Sequence, residues 1–152
     1  AAPKTSWALA MMASATDSTL AIDLVVDTSA VMAVLLQEPL GDAVLERLCQ
    51  AAQPALAAPT RTEILVVALA KFGEIGLEAT AAFLDQQAIA TVACDQDLAD
   101  AAAAAFQRFG RGRHPSALNF GDCFSYALAH RLQVPLLFVG NDFGRTDLRA
   151  AL

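Results

Sequence analysis

The chain has 152 residues, enough for one domain with a real core. It is 56% hydrophobic, much of that alanine, yet it holds no run of about 18 apolar residues, which excludes a membrane-spanning helix. Its net charge of −6, from 10 basic and 16 acidic residues, excludes a broad basic face, so any nucleic-acid contact must be local.

Residues 1–21 lack a strong pattern and read as an extension, disordered or vector-derived, ahead of a domain spanning 22–152. Lys4, the apolar stretch Trp7–Met12 and Ala13-Ser14-Ala15 imitate a signal peptide, but the apolar segment is short for one, and the expected location is cytoplasmic. Ile22–Val26 is the first strand, largely apolar and β-branched, without the alternation of a half-exposed strand. Asp27 ends it. Thr28 or Ser29 is placed to cap a helix running to about Gln37, ahead of Pro39. Gly41–Ala51 is a second helix with Val44, Leu45 and Leu48 inward. Pro54–Ala58 is the second strand. Pro59 and Thr60 then open a helix whose core face is Ile64, Leu65, Ala68 and Phe72, and Thr60 with Glu63 fits a capping box. Glu74–Gln87 is a fourth helix, forming a hairpin with the one before it.

Ile89–Ala93 reads as the third strand. Asp95–Phe109 is helical, with Leu98, Ala102 and Phe106 inward and with Asp95, Asp97 and Asp100 as helix start and solvated face. Gly110–Ala117 is a loop. Asn119 caps a long buried helix, with Phe124, Ala127, Leu128 and Leu132 at helical spacing and Asp122 in the first turn, where acids are favoured. Pro135–Val139 is the fourth strand, and Asp147–Ala150 can add a short edge strand. Alternating strands and helices indicate a parallel sheet of four to five strands with helices on both faces, a three-layer α/β/α domain.

Three stretches give Asp122 company. Leu24-Val25-Val26-Asp27-Thr28-Ser29 and Leu136-Leu137-Phe138-Val139-Gly140-Asn141-Asp142-Phe143 are apolar runs ending in an acid, and Glu63 opens an apolar helix. Ligands of α/β proteins bind at the carboxyl ends of parallel strands. Four acids gathered there repel one another unless a cation lies between them, and oxygen ligands suit Mg²⁺ or Mn²⁺. Setting Asp27, Glu63, Asp122, Asp142 and Asp147 aside from the 16 acids leaves 11 against 10 bases, so the acidity is largely that of the site.

These residues resemble the PIN domain, and within it the VapC toxin ribonucleases of bacterial toxin–antitoxin pairs. The likeness rests on Val26-Asp27-Thr28-Ser29-Ala30, on Thr62-Glu63, on Asn119-Phe120-Gly121-Asp122-Cys123-Phe124-Ser125-Tyr126-Ala127-Leu128-Ala129, and on Asn141-Asp142-Phe143 with Thr146-Asp147. It covers about residues 24–150. The resemblance implies a Mg²⁺-dependent endoribonuclease that hydrolyses RNA phosphodiester bonds, with Mn²⁺ as a substitute. It implies Asp27 and Asp122 as main metal ligands, Glu63 and Asp142 completing the set, and Asp147 as a further acid at the rim. Thr28, Ser29 and Thr146 are candidates to hold a carboxylate or a water. It further implies a homodimer built largely on the two middle helices and a hetero-oligomer with a VapB-like antitoxin. Arg108, Arg111 and Arg113 are the densest basic stretch and candidate RNA contacts.

Other readings stay open on the residues alone. An aspartyl phosphatase of the haloacid-dehalogenase type expects Asp-x-Asp, and here Ser29 stands two after Asp27. A PIN nuclease of RNA processing and a non-catalytic scaffold that binds a partner also fit. Cys49, Cys94 and Cys123 form no metal-binding cluster and read as buried thiols in a reducing compartment. His114 and His130 read as surface histidines.

Overall fold

The computed structural model describes residues 22–152. The expectations for residues 1–21 lie outside the described residues.

Strands β1 (Leu24–Val26), β2 (Pro54–Ala57), β3 (Ala90–Val92) and β4 (Leu136–Leu137) form one sheet in the order β3-β2-β1-β4, every pairing parallel. Five helices connect them: α1 (Thr28–Leu35), α2 (Gly41–Gln50), α3 (Ala58–Gln86), α4 (Gln96–Phe109) and α5 (Phe120–Leu132). The expected edge segment appears as a parallel bridge between Leu136 and Ala150. Leu136 N–H donates to the Arg149 carbonyl at 2.9 Å, and Ala151 N–H donates to that of Leu136 at 3.0 Å.

Successive residues of a strand point to opposite faces. Leu24 and Val26 enter a core with Val31, Val44, Leu48, Ile64 and Leu84, under α1, α2 and α3. Val25 enters a second core with Leu98, Phe109, Leu118 and Leu128, under α4 and α5. All of β1 is buried, which is why its sequence does not alternate.

Several expectations need correction. Asp27 itself caps α1, its side chain accepting from Ser29 N–H, so neither Thr28 nor Ser29 does so. The helix start at Thr60 is displaced: α3 begins at Ala58 with Ala57 as N-cap and no side-chain cap bond, so Thr60 and Glu63 form no capping box. α3 breaks at Gly73, whose φ of 71° is strained for any residue with a Cβ. Arg61 and Asp85, on either side of that break, come within 3.7 Å, so the two segments fold back as the expected hairpin. Phe72 is exposed near the tip of that hairpin rather than in the core, beside exposed Leu69 and Ile75. On α4 the buried face is Leu98, Ala102, Ala105 and Phe109, so Phe109 takes the inward place expected of Phe106. Asp95 caps α4, and Asp97 and Asp100 are solvated as expected. Cys49 and Cys94 are exposed; only Cys123 is a buried thiol.

Candidate active site

β1 runs to β2 on one side, while β4 lies on its other side. The strand order therefore reverses between β1 and β4, and the crevice at their carboxyl ends is where such sheets bind ligands. Asp27 stands there. Its N–H donates to the Leu137 carbonyl of β4 at 3.0 Å, and the residue is 2% exposed. A buried charge is costly unless hydrogen-bonded. Asp27 Oδ2 accepts from Ser29 N–H at 3.0 Å and from the Ser29 hydroxyl at 2.7 Å. Asp27 Oδ1 accepts from the Ser125 hydroxyl at 2.6 Å. Ser29 Oγ in turn accepts from Val139 N–H at 3.1 Å, tying the segment after β4 to the end of β1.

Ser125 and Thr60 are buried, with hydroxyls 3.3 Å apart, and sequence reasoning assigned neither to the site. A serine inside an apolar helix was the available signal for Ser125, because a buried hydroxyl needs a partner. Thr28 Oγ1 is buried with no hydrogen-bond partner.

Asp122 enters from the first turn of α5. Asn119 Oδ1 accepts from Asp122 N–H at 2.8 Å, and Asp122 Oδ2 accepts from Asn119 N–H at 2.9 Å, a reciprocal capping box. Capping and membership of the acid cluster thus coexist in one side chain. Burial pushes the Asp122 carboxyl up, to about 7, against the downward pull of the Asn119 N–H, and the charges of Asp27, Asp142 and Glu63 push it further. Glu63 reaches the same turn from α3. A Cβ built at Gly121 would lie 1.9 Å from Glu63 Oε2, so this close approach requires glycine. Asp142 is exposed, just before the 3-10 turn Phe143–Arg145.

Asp147 is held elsewhere. The Tyr126 hydroxyl donates to its Oδ1 at 2.6 Å and Arg108 Nη1 to its Oδ2 at 3.0 Å. The Tyr126 bond and the Arg108 charge hold this carboxyl below its ordinary value despite some burial, and Asp147 is not among the acids that act on Asp122. Of the two, Asp142 is the acid whose charge bears on Asp122. Thr146 donates its hydroxyl to the Phe143 carbonyl at 2.7 Å and so closes the 3-10 turn rather than holding an acid. Arg108, besides pairing with Asp147, lies 4.5 Å over the Phe109 ring. Arg111 and Arg113 are exposed on the following loop, which Arg145 meets through the Pro115 carbonyl at 3.5 Å. His114 bonds Ser116, and His130 is exposed and stacks on Tyr126. Burial pushes the Cys123 thiol up to about 11, leaving it inert.

Among the described residues, no three acidic, His or Cys side chains stand close enough to enclose a metal ion as they are oriented. By chemistry alone, the oxygen donors of four carboxylates would suit a hard cation, and the residue after Asp27 carries the partnerless Thr28 hydroxyl. Among the described residues no helix is long and apolar enough to cross a membrane.

Residues 24–148 match the family model described as the PIN domain. "Ribonuclease VapC" of Mycolicibacterium smegmatis is 44% identical over 129 residues, covering 84% of this chain and 98% of its own length. "Ribonuclease VapC30" of Mycobacterium tuberculosis is 43% identical over 129 residues, covering 82% and 95%. The fold is shared with M. tuberculosis VapC20, described as a Sarcin-Ricin loop cleaving toxin, at a TM-score of 0.68 and 14% identity, covering 83% of this chain and 96% of that one. It is shared also with a toxin–antitoxin complex from Klebsiella pneumoniae, at a TM-score of 0.63 and 20% identity, covering 82% and 93%. On the matched family model and on relatives aligned over nearly their whole length, the chain belongs to the PIN-domain family and, within it, to the VapC group.

Proposed function

We propose that the chain is a Mg²⁺-dependent endoribonuclease, the toxin of a type II toxin–antitoxin pair. The observation that carries this reading is that Ser125 of α5 holds Asp27 at the reversal point of the sheet, while the first turn of the same helix carries Asp122 and lies against Glu63. The relatives' names, ribonucleases at 36–44% identity, support the same class.

Asp27, Asp122, Glu63 and Asp142 would hold Mg²⁺, with Mn²⁺ as a substitute. When bound, the ion would supply neutralisation of phosphate charge and activation of a water. The chain's own residues prepare this site. Ser29 and Ser125 orient Asp27 in advance, and the capping box fixes Asp122. Gly121 lets Glu63 lie against the first turn of α5. Burial and the neighbouring acids push the Asp122 carboxyl up to about 7, and a cation held there would favour its ionised form. An aspartyl-phosphatase reading lacks its general acid, since Ser29 spends its hydroxyl on Asp27.

The toxin–antitoxin complex from K. pneumoniae and VapBC-1 from Haemophilus influenzae support a VapB-like antitoxin partner here. An acidic crevice invites a charge-assisted Arg–carboxylate pair from that partner, which would also displace metal. Exposed Leu69, Phe72 and Ile75 near the tip of the α3 hairpin supply an apolar face for the toxin homodimer on which the hetero-oligomer is built. The test is incubation of partner-free protein with RNA. Cleavage with Mg²⁺ that stops on chelation supports the reading, and none under either condition leaves a partner-binding scaffold.

A further inference from the structure

We propose that Phe120 is a nucleobase-stacking residue that seats single-stranded RNA beside the carboxylates; this rests on the nuclease reading above. Phe120 is the first residue of α5 and is 78% exposed, against 43% for Phe72 and 38% for Phe106. Among the described residues no other large aromatic ring is left in water this fully, and this one stands two residues from Asp122. The ring is not loose. It meets Phe124 edge-on, with centroids 5.1 Å apart and planes at 74°.

Its surroundings suit a base. On one side lies a cleft of about 660 Å³ that Phe120 lines together with Glu63, Pro59, Val66 and Phe124. Of the four acids Glu63 lines that cleft, with Gly121 between it and Phe120, so the ring and this carboxylate share one surface. On the other side lies a groove of about 450 Å³, lined by Phe120 with Ala99, Ala103 and Phe106. The ring is a ridge between two apolar hollows, so a base can lie against it on either side. The walls are chiefly methyl groups and aromatic edges, which accept any base rather than reading one.

Charge favours such a contact. The chain carries −6 overall, and the four acids repel an incoming phosphate. Arg108 is already committed to Asp147. Stacking on an aromatic ring gains free energy without needing a cation, and so adds to what exposed Arg111 and Arg113 give to phosphates. A protein partner would use the same hollows, but it would not need an aromatic ring at this position, since any apolar side chain would serve.

The test uses the full chain carrying Asp122→Asn, to prevent cleavage, and a short single-stranded RNA. Its affinity is measured across salt concentrations with Phe120 intact, with Phe120→Leu and with Phe120→Trp, alongside the melting temperature of each. Phe120→Leu should weaken binding by roughly tenfold or more, while Phe120→Trp keeps it. The slope of log K against log salt should be the same in all three, because stacking releases no counterions. Three results overturn the proposal: unchanged affinity in Phe120→Leu; a slope flattened by about 0.7, which marks a lost phosphate contact; or equal loss in both variants with lowered melting temperatures. Unchanged RNA binding with loss of a co-purifying antitoxin in Phe120→Leu also overturns it and gives the ridge to the partner. Mg²⁺-dependent cleavage by the unmutated chain is scored separately. Its failure removes the nuclease reading, while the binding data still decide the role of Phe120.

Discussion

Asp122→Asn should make the metal-free protein more stable above neutral pH while abolishing cleavage. The substitution keeps an oxygen to accept the Asn119 N–H, so the capping box survives, and it removes one charge from beside Asp27, Asp142 and Glu63. Burial and those three acids raise Asp122 from 3.8 to about 7. A carboxyl with a raised folded-state pKa favours the folded state while it stays protonated and loses that contribution as pH climbs from the unfolded value through the folded one. The wild type should thus lose stability between about pH 4 and 7, and the variant should not. Three pKa units correspond to about 4 kcal/mol. Solvent screening at the mouth of the crevice reduces this to about 2 kcal/mol. For a chain of this size that is about 4–8 °C in melting temperature. Thermal melts of both proteins in chelator, at pH 4 and pH 8, should coincide at pH 4 and separate at pH 8 with the variant higher. A variant that melts lower than the wild type at both values would mean that Asp122 serves α5 as a cap and carries no repulsion.

Other perturbations address the rest of the site. Ser125→Ala removes a fully buried donor 2.6 Å from Asp27 and should cost about 2 kcal/mol, read by urea denaturation; no loss would mean that Asp27 is satisfied by Ser29 alone. Gly121→Ala drives a methyl group into the end of the Glu63 side chain and should slow cleavage by pushing that carboxylate aside; unchanged activity would mean that Glu63 need not lie against the first turn of α5. Replacing Arg111 and Arg113 together with Ala should flatten the salt dependence of RNA binding by about 1.4, from about 0.7 per phosphate. An unchanged slope would return them to ordinary surface charge.

Much of this was legible in the sequence because single residues carry it. Asp27 and Asp142 each follow an apolar run that could only be a central strand or its extension, and strand ends collect ligands. Asp122 was legible through the residues around it. What misled was spacing that two structures share. Thr60 and Glu63 are set apart as a capping box would be, but Pro59 lets the helix begin earlier, which turns Thr60 inward to Ser125. Phe106 and Phe109 both suit an amphipathic helix, and only packing against Leu118 and Tyr126 selects Phe109. Asp142 and Asp147 are equivalent as letters. The 3-10 turn at Phe143–Arg145 separates them, and Tyr126 and Arg108 then claim Asp147. Ser125 escaped notice because its partner, Asp27, is 98 residues away.

The most direct measurement is cleavage of total cellular RNA by the purified, partner-free chain, with and without Mg²⁺, followed by mapping of new 5′ ends. The wild type should produce discrete new ends with Mg²⁺ and none in chelator, and folded Asp27→Asn and Asp122→Asn proteins should produce none in either. Full Mg²⁺-dependent cleavage by either folded variant would contradict the assignment of this carboxylate cluster as the nuclease centre.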